Sequence, residues 1–212
     1  MQENPKRNLL INETLPGRNL IQEDLSGKRL INSTVHSIKM QDGRCRFLRA
    51  HDTNFQDLYI DHVLCDKGYY QDCHWKNLQI QNSFITESHF SGCKLDGAAG
   101  KLSTFGLSTF YDCKLIKSSF SEVSFSGTCW RACQFEQADY FFVRFPSSVF
   151  IDTQFVDCRL QKAIFRGTTF IRCSFENCQL DDAVFHKARF LDTQWIDTDI
   201  HQAANLEEIR YD

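Results

Sequence analysis

The feature that most constrains this chain is a period of five residues. Between residues 15 and 200, 34 of the 38 positions numbered in multiples of five carry a large apolar or aromatic side chain. Of 19 phenylalanines, 15 fall on this register, and so do all three tryptophans. Neither the 3.6-residue period of a helix nor the two-residue alternation of a strand produces this spacing. A fixed short period instead predicts a repeat solenoid.

A second position of the repeat, two residues before each large side chain, is small. The units 113–117, 163–167 and 183–187 show the full motif: a small residue, a variable one, Leu or Phe, then two more. These units resemble those of the pentapeptide-repeat family. The resemblance implies an all-β fold, a right-handed quadrilateral β-helix in which four units make one coil of twenty residues. It implies about ten coils for this chain.

The unbroken phase predicts a single solenoid domain over residues 1–212. We expect a lead-in and N-terminal cap over 1–14, repeats over 15–200 and a C-terminal cap over 201–212. In the first units the small inward position holds charged residues. Burying them unpaired would cost too much, so the first coil is expected to be open or distorted. These residues are Glu13, Arg18, Glu23 and Lys28.

The early coils also depart from the motif in side-chain size. Cys45, Ala50 and Cys65 occupy large positions, while Ile38, Leu48, Leu58 and Val63 crowd the small ones. Because total core volume matters more than which position supplies it, we expect the two departures to offset each other. Gly100 also occupies a large position. It predicts a local kink, because glycine leaves a gap or permits a bend.

The ten cysteines follow the register. Nine fall on inward positions, several of them twenty residues apart, and this spacing predicts columns of small buried thiols. Cys129 alone falls on an outward position. Zinc binding or redox chemistry is the alternative to this structural role.

The sequence offers no set of catalytic residues. All seven histidines fall on outward positions, so none can meet a buried carboxylate or thiol inside a coil. No phosphate-binding glycine loop occurs. The 24 basic and 27 acidic residues nearly balance, so they create no positive electrostatic field that would attract nucleic acid. We therefore expect a non-enzymatic protein without cofactor, metal site, membrane span or direct nucleic-acid binding. With no signal peptide, the expected location is the cytoplasm.

Outward positions twenty residues apart stack, so they predict surface columns. One column is apolar and aromatic with acidic neighbours, and a nearby pair of aromatics also faces outward. Such a stripe indicates a partner surface, although β-propensity alone also favours Ile and Val in strands. The candidate residues are Tyr111, Asp112, Phe141, Phe142, Ile151, Asp152, Ile171, Leu191 and Asp192.

The segment after Ile200 leaves the register. Its Ala, Leu and Glu content predicts a short C-terminal helix. Leu206, Ile209 and Tyr211 would then cap the last coil or pair with a second copy to form a homodimer.

The resemblance also implies a function. Bacterial members of the family protect type II topoisomerases such as DNA gyrase from quinolones and toxins, with an acidic rod that resembles duplex DNA. A net charge of −3 is weak for such mimicry, but residues 107–212 hold 15 acidic and 11 basic side chains. The alternative is a structural scaffold or interaction module with an unrelated protein partner.

Overall fold

The chain folds into a four-sided parallel β-helix of about ten coils, as the resemblance of its five-residue units implies. The computed structural model describes residues 9–211. Each coil takes twenty residues, so Phe110 pairs in register with Trp130, and Trp130 with Phe150. At a rise of about 4.8 Å per coil, the rod is roughly 45–50 Å long.

Three faces are parallel sheets of short strands. The first face holds Leu9–Ile11, Arg29–Ile31, Arg49–His51, Tyr69–Gln71, His89–Ser91, Thr109–Tyr111, Cys129–Arg131, Val149–Ile151, Thr169–Ile171, Arg189–Leu191 and Arg210–Tyr211. The second face holds Thr14–Leu15, Thr34–His36, Asn54–Gln56, His74–Lys76, Lys94–Asp96, Lys114–Ile116, Gln134–Glu136, Gln154–Val156, Ser174–Glu176 and Gln194–Ile196. The third face holds Arg18–Ile21, Ile38–Gln41, Tyr59–Asp61, Gln79–Gln81, Ala99–Lys101, Ser119–Ser121 and Asp139–Phe141.

The fourth face is a column of single parallel bridges. It contains Asp24, Arg44, Leu64, Phe84, Thr104, Ser124, Arg144, Ile164, Val184 and Asn205. After the last third-face strand, bridges from Asp139 to Arg159 and on to Gln179 continue that face in the same way. Every side of the square is therefore closed by hydrogen bonds between coils.

The large positions of the repeat form ladders of stacked rings inside the rod. On the fourth face Phe105, Phe125, Phe145, Phe165 and Phe185 stack with centroid separations of 4.9, 5.1, 5.1 and 5.0 Å. All five rings are buried. The ladder predicted from the register is confirmed, and it is one of the columns of buried rings that form the apolar core of the C-terminal coils.

The small inward positions hold polar side chains whose hydrogen bonds join neighbouring coils. The Ser108 hydroxyl donates to the Ile85 carbonyl at 3.0 Å, and the Ser88 amide donates to the Ser108 hydroxyl at 3.1 Å. Because these hydroxyls find partners, serine and threonine can be buried here at little cost.

The kink predicted at Gly100 does not form. Gly100 stays in the third-face ladder, paired in register with Ile80 and Phe120. A Cβ built on Gly100 would come within 2.5 Å of the Phe120 ring, so that ring already occupies the space a large side chain would take. The gap is filled from the next coil, and the rod runs on unbent.

The open or distorted first coil expected from its charged inward positions is not seen, because all four of its sides pair in register with the second coil. Glu13 and Glu23 are exposed, and Lys28 is half-buried. The side chain of Arg18 and all of residues 1–8 lie outside the described part, so only residues 9–14 of the expected lead-in are seen. The charges avoid burial because, among the described residues, no further coil covers this end of the rod.

The predicted C-terminal helix is wrong. Within the described residues this segment has one 3₁₀ turn, Ile200–Gln202, and then returns to the coil path. Arg210–Tyr211 pairs with the first face at an offset of 21 residues instead of 20. The last coil presents free backbone groups, and pairing with them outweighs the weak helix propensity of this stretch.

The C-terminal segment nevertheless covers the end of the rod. Leu206 and Ile209 pack, partly buried, against the core of the last coil. Tyr211 stacks on Phe190 at 5.6 Å. Because the protein's own C-terminal segment covers this end, less free strand edge remains on which other molecules could stack. In the described residues there is also no helix long and apolar enough to cross a membrane.

Candidate protein-binding surfaces

The corners of the coils impose a left-handed backbone every five residues. The residue two positions after each large side chain has positive φ along most of the rod. Asp, Asn and Gly tolerate this conformation best. Asp112, Asp152 and Asp192 all occupy such corners, with φ of 52°, 51° and 50°. The backbone conformation therefore explains why aspartates occur at these positions, independently of any partner.

The apolar column predicted from the sequence exists on the first face. Tyr111, Arg131 and Ile151 pair in register, and Ile171 and Leu191 continue the column. Tyr111 is 50% exposed, whereas the three aliphatic residues are half-buried between their neighbours. The column thus offers a short aliphatic strip, which the exposed Arg131 separates from Tyr111.

The acidic column beside this strip is interrupted by an arginine. Arg172 lies between Asp152 and Asp192 and donates two hydrogen bonds to the Asp152 carboxylate, at 2.7 and 3.0 Å. These bonds lower the pKa of the Asp152 carboxyl. An ion pair already closed within the rod presents little net charge, so this column imitates a phosphate backbone poorly.

The second face alternates apolar and acidic residues at its outer column. Ile116, Glu136 and Val156 are in register, and Glu176 and Ile196 follow. Ile196 is 40% exposed. This alternation separates the apolar side chains from one another and gives no continuous patch.

Phe141 and Phe142 lie away from the first-face strip. Phe141 ends a strand of the third face, across the square from the first, and Phe142 occupies the following corner. Their rings meet edge to face at 5.1 Å, with the Lys162 ammonium 5.6 and 5.7 Å from the two centroids. The structure therefore divides the nine predicted surface residues between two sides of the rod.

A further exposed apolar cluster was not predicted from the sequence. It lies in the middle of the fourth face, where four side chains are 40%, 53%, 54% and 67% exposed. Leu64 and Phe84 are bridged neighbours, and Leu102 and Leu107 stand at the two corners of the next coil. We call Leu64, Phe84, Leu102 and Leu107 the fourth-face patch.

Two members of the fourth-face patch occupy strained backbone positions. Leu102 and Leu107 have φ of 51° and 57°, a conformation that costs a non-glycine residue about 1–2 kcal/mol. A leucine there gains neither local preference nor burial. The sequence did contain a signal for one member of the patch, Phe84, because it does not fit the five-residue register. All four phenylalanines outside that register lie on the outside of the rod: Phe47, Phe84, Phe141 and Phe142.

Ion pairs stand beside the fourth-face patch. Arg46 and Asp66 approach to 2.8 Å, and Lys67 and Glu87 to 3.5 Å. Hydrogen bonding from Arg46 lowers the pKa of the Asp66 carboxyl. An apolar centre with a charged rim is the usual arrangement of a protein interface.

No cleft brings catalytic groups together in the described residues. All seven histidines are half-buried or exposed. In the described chain one histidine–carboxylate group has metal-ligand spacing: the His51 Nδ1 lies 3.0 Å from Asp52, and Nε2 lies 3.9 Å from Asp72. These side chains are half-buried or exposed at the surface, where acidic groups are commonly found together without a metal ion.

The cysteines form buried columns with free thiols. Nine are buried, and Cys129 is half-buried. The Cys93 thiol donates to the carbonyls of Tyr70 and Ser91 at 3.5 and 3.4 Å, so it joins adjacent coils. Burial raises the pKa of the Cys173 thiol to about 11, which keeps it protonated and unreactive near neutral pH.

Alkylation of the native protein is expected to modify chiefly Cys129. The other nine thiols should react only after denaturation, because a thiol must reach solvent and ionise before it is alkylated. Peptide mass spectrometry after a short iodoacetamide pulse, with and without urea, measures this. Fast native labelling of Cys93, Cys113 or Cys173 would contradict the buried columns.

Comparisons with known proteins agree with this geometry. Residues 145–199 match a family model described as pentapeptide repeats (9 copies). Two trypsin-treated variants of QnrB1, a plasmid-mediated fluoroquinolone resistance protein, have 13% and 14% identity and TM-scores of 0.54. They cover 94% and 95% of this chain and 91% of their own. HetL, a pentapeptide repeat protein involved in heterocyst differentiation regulation in Nostoc sp. strain PCC 7120, has 11% identity and a TM-score of 0.49, covering 94% of this chain and 87% of its own. No curated protein sequence matches the chain.

Proposed function

Because this chain is a pentapeptide-repeat solenoid, we propose that it is a non-enzymatic rod that binds a protein partner through its outer faces. The observation that carries the proposal is the fourth-face patch. It exposes four large apolar side chains in one area, and two of them occupy left-handed corners. Such a patch is costly in water unless a partner covers it.

The geometry favours recognition over catalysis. In the described residues, histidines and paired carboxylates are distributed along the outside of a regular prism, so three groups do not converge on one reacting atom. A flat face with an apolar centre and an ionic rim suits the surface of another folded protein.

A type II topoisomerase is the first partner to test. The QnrB1 variants share the fold over more than nine-tenths of both chains, and the C-terminal half of this chain is acidic. The fourth-face patch would then meet the enzyme, and Tyr111, Asp112 and Asp192 on the adjoining first face would lie at the edge of the contact. Since Asp152 is already paired with Arg172, we propose that apolar contacts carry more of the binding than DNA mimicry does.

A gyrase supercoiling assay, with and without a fluoroquinolone, tests this candidate. We expect the double variant Phe84→Ser, Leu107→Asn to lose the protection of gyrase from the drug. The triple variant with Asp112, Asp152 and Asp192 changed to Asn should keep it. Loss in the triple variant, together with weakening by salt, would favour mimicry instead. If micromolar protein changes neither supercoiling nor drug sensitivity, topoisomerase is excluded as the partner.

The alternative partner is an unrelated protein held by the same patch. A photocrosslinking amino acid at Phe84 or Leu107 should capture one and the same protein from cells that produce this chain. The matched control carries the crosslinker at Lys94, an exposed second-face position. Equal capture at all three positions would contradict a specific fourth-face interface.

We also propose that the C-terminal end can hold a second copy of the chain. Tyr211 is 60% exposed although it stacks on Phe190, and Arg210–Tyr211 forms the terminal strand of the first face among the described residues. An end-to-end dimer would join the two acidic halves. Sedimentation of the wild type and of Tyr211→Asp tests it: a monomer in both cases would refute the dimer.

A further inference from the structure

The inward side chains of the first coils are smaller than those of the later ones. On the fourth face the ladder of phenylalanines that begins at Phe105 is preceded by Ile85, Cys65 and Cys45. The larger residues at the small positions of these coils were expected to make up the missing volume. These larger residues fill only part of the missing volume.

A cavity of about 310 Å³ occupies the N-terminal end of the rod. Half-buried leucines of the first coil, including Leu10, Leu15 and Leu25, form its outer part. Tyr70 and Trp75 of the fourth coil line it at the inner end. Its volume is about twice that of a ~150 Å³ apolar cavity able to hold benzene, and it reaches the lower range of natural ligand pockets, about 300 Å³.

The lining is apolar apart from one cation and a few polar atoms. Among residues 9–211, Lys28 is the charged residue that contributes to it, and no carboxylate does. Transferring a charged group into the interior of such a cavity would cost several kcal/mol. A ligand that enters it should therefore be neutral.

The inner end contains a hydrogen-bond donor without a partner. Trp75 is 6% exposed, and its indole N–H is buried and unpaired among the described residues. The ring itself is held firmly, stacked on Phe55 at 3.9 Å and edge-on to Tyr70 at 5.2 Å. By contrast, the indole N–H of Trp130 donates to the Thr128 hydroxyl at 2.9 Å. Buried donors are nearly always paired, so the Trp75 N–H calls for an acceptor.

Residues 1–8 contain one long apolar side chain, Met1, among mostly polar and charged neighbours. An apolar space of this size needs apolar atoms in contact with its walls to be stabilised.

We propose that this cavity binds a small neutral lipophilic molecule with one acceptor oxygen, of the class of medium-chain ketones, with its oxygen bonded to the Trp75 N–H. The chain of the ligand lies among the leucines of the first coils. The site is separate from the fourth-face patch and does not depend on the protein-binding function.

The first experiment uses the full chain and the fluorescent probe N-phenyl-1-naphthylamine. Its emission should rise and saturate at micromolar protein, and 2-decanone should displace it. Decane, which has no acceptor, should displace it about fivefold less well. In an NMR spectrum the Trp75 indole N–H resonance should shift with 2-decanone and much less with decane.

Two variants locate the site. Cys65→Phe continues the phenylalanine ladder into the cavity, so it should abolish probe binding while holding or raising the melting temperature. Cys129→Phe makes the same change at a half-buried position far from the cavity and should leave binding intact. Trp75→Phe should keep probe binding but lose the preference for ketone over alkane, whereas Trp195→Phe should keep both.

Several outcomes would overturn the proposal. Absence of probe binding, binding unchanged in Cys65→Phe, or tighter binding of decanoate than of 2-decanone would each do so. So would light scattering that shows a dimer to which the probe does not bind, because a second copy would then close the mouth.

Discussion

Replacing Phe145 by alanine is expected to lower the free energy of unfolding by about 3–5 kcal/mol. Phe145 is fully buried at the centre of the fourth-face ladder, stacked at 5.1 Å on both Phe125 and Phe165. Its removal opens a cavity between two rings that backbone pairing holds in place, so the neighbours cannot collapse into it. Urea denaturation followed by circular dichroism measures the loss.

The matched control is Phe142→Ala, three residues earlier in the chain. Phe142 is 43% exposed, so the same truncation should change stability by no more than about 0.5 kcal/mol. Similar losses at the two positions would show that inward and outward positions are assigned wrongly.

Replacing Gly100 by leucine is expected to destabilise the protein by about 1–3 kcal/mol, although leucine is what the repeat calls for. A Cβ at this position meets the Phe120 ring at 2.5 Å, and Phe120 is itself buried. A leucine would force that ring out of its place in the core. Thermal unfolding of the single variant measures this cost.

Two further variants separate crowding from backbone effects. Gly106→Ala, in the same coil, should be nearly neutral, since its Cβ would meet neighbours at 3.4 Å, close to ordinary contact. Phe120→Leu combined with Gly100→Leu should recover much of the loss by shortening the obstructing side chain. A stabilised Gly100→Leu would instead show that the space beside Gly100 is empty.

The sequence alone determined the coil, its register and its core. Each unit repeats one constraint, that a large and a small side chain point inward at fixed positions, so the period specified which side chains face the core. The resemblance to pentapeptide repeats, in which four units make one coil, implied the twenty-residue pairing and the ring ladder through Phe145. It also predicted the first-face column from Tyr111 to Leu191, since stacking follows directly from the register.

The tertiary structure decided what depends on contacts between different coils. The ring of Phe120 in the next coil decides whether Gly100 makes a kink. The guanidinium of Arg172, one coil further on, decides how much negative charge Asp152 presents at the surface. The C-terminal segment becomes a partial coil because the last strands offer it hydrogen bonds that a lone helix cannot match. The fourth-face patch emerges only when corners and bridges from three coils are brought together. Local sequence determines which way a side chain points, but its neighbours lie twenty residues away, and those contacts fix its environment.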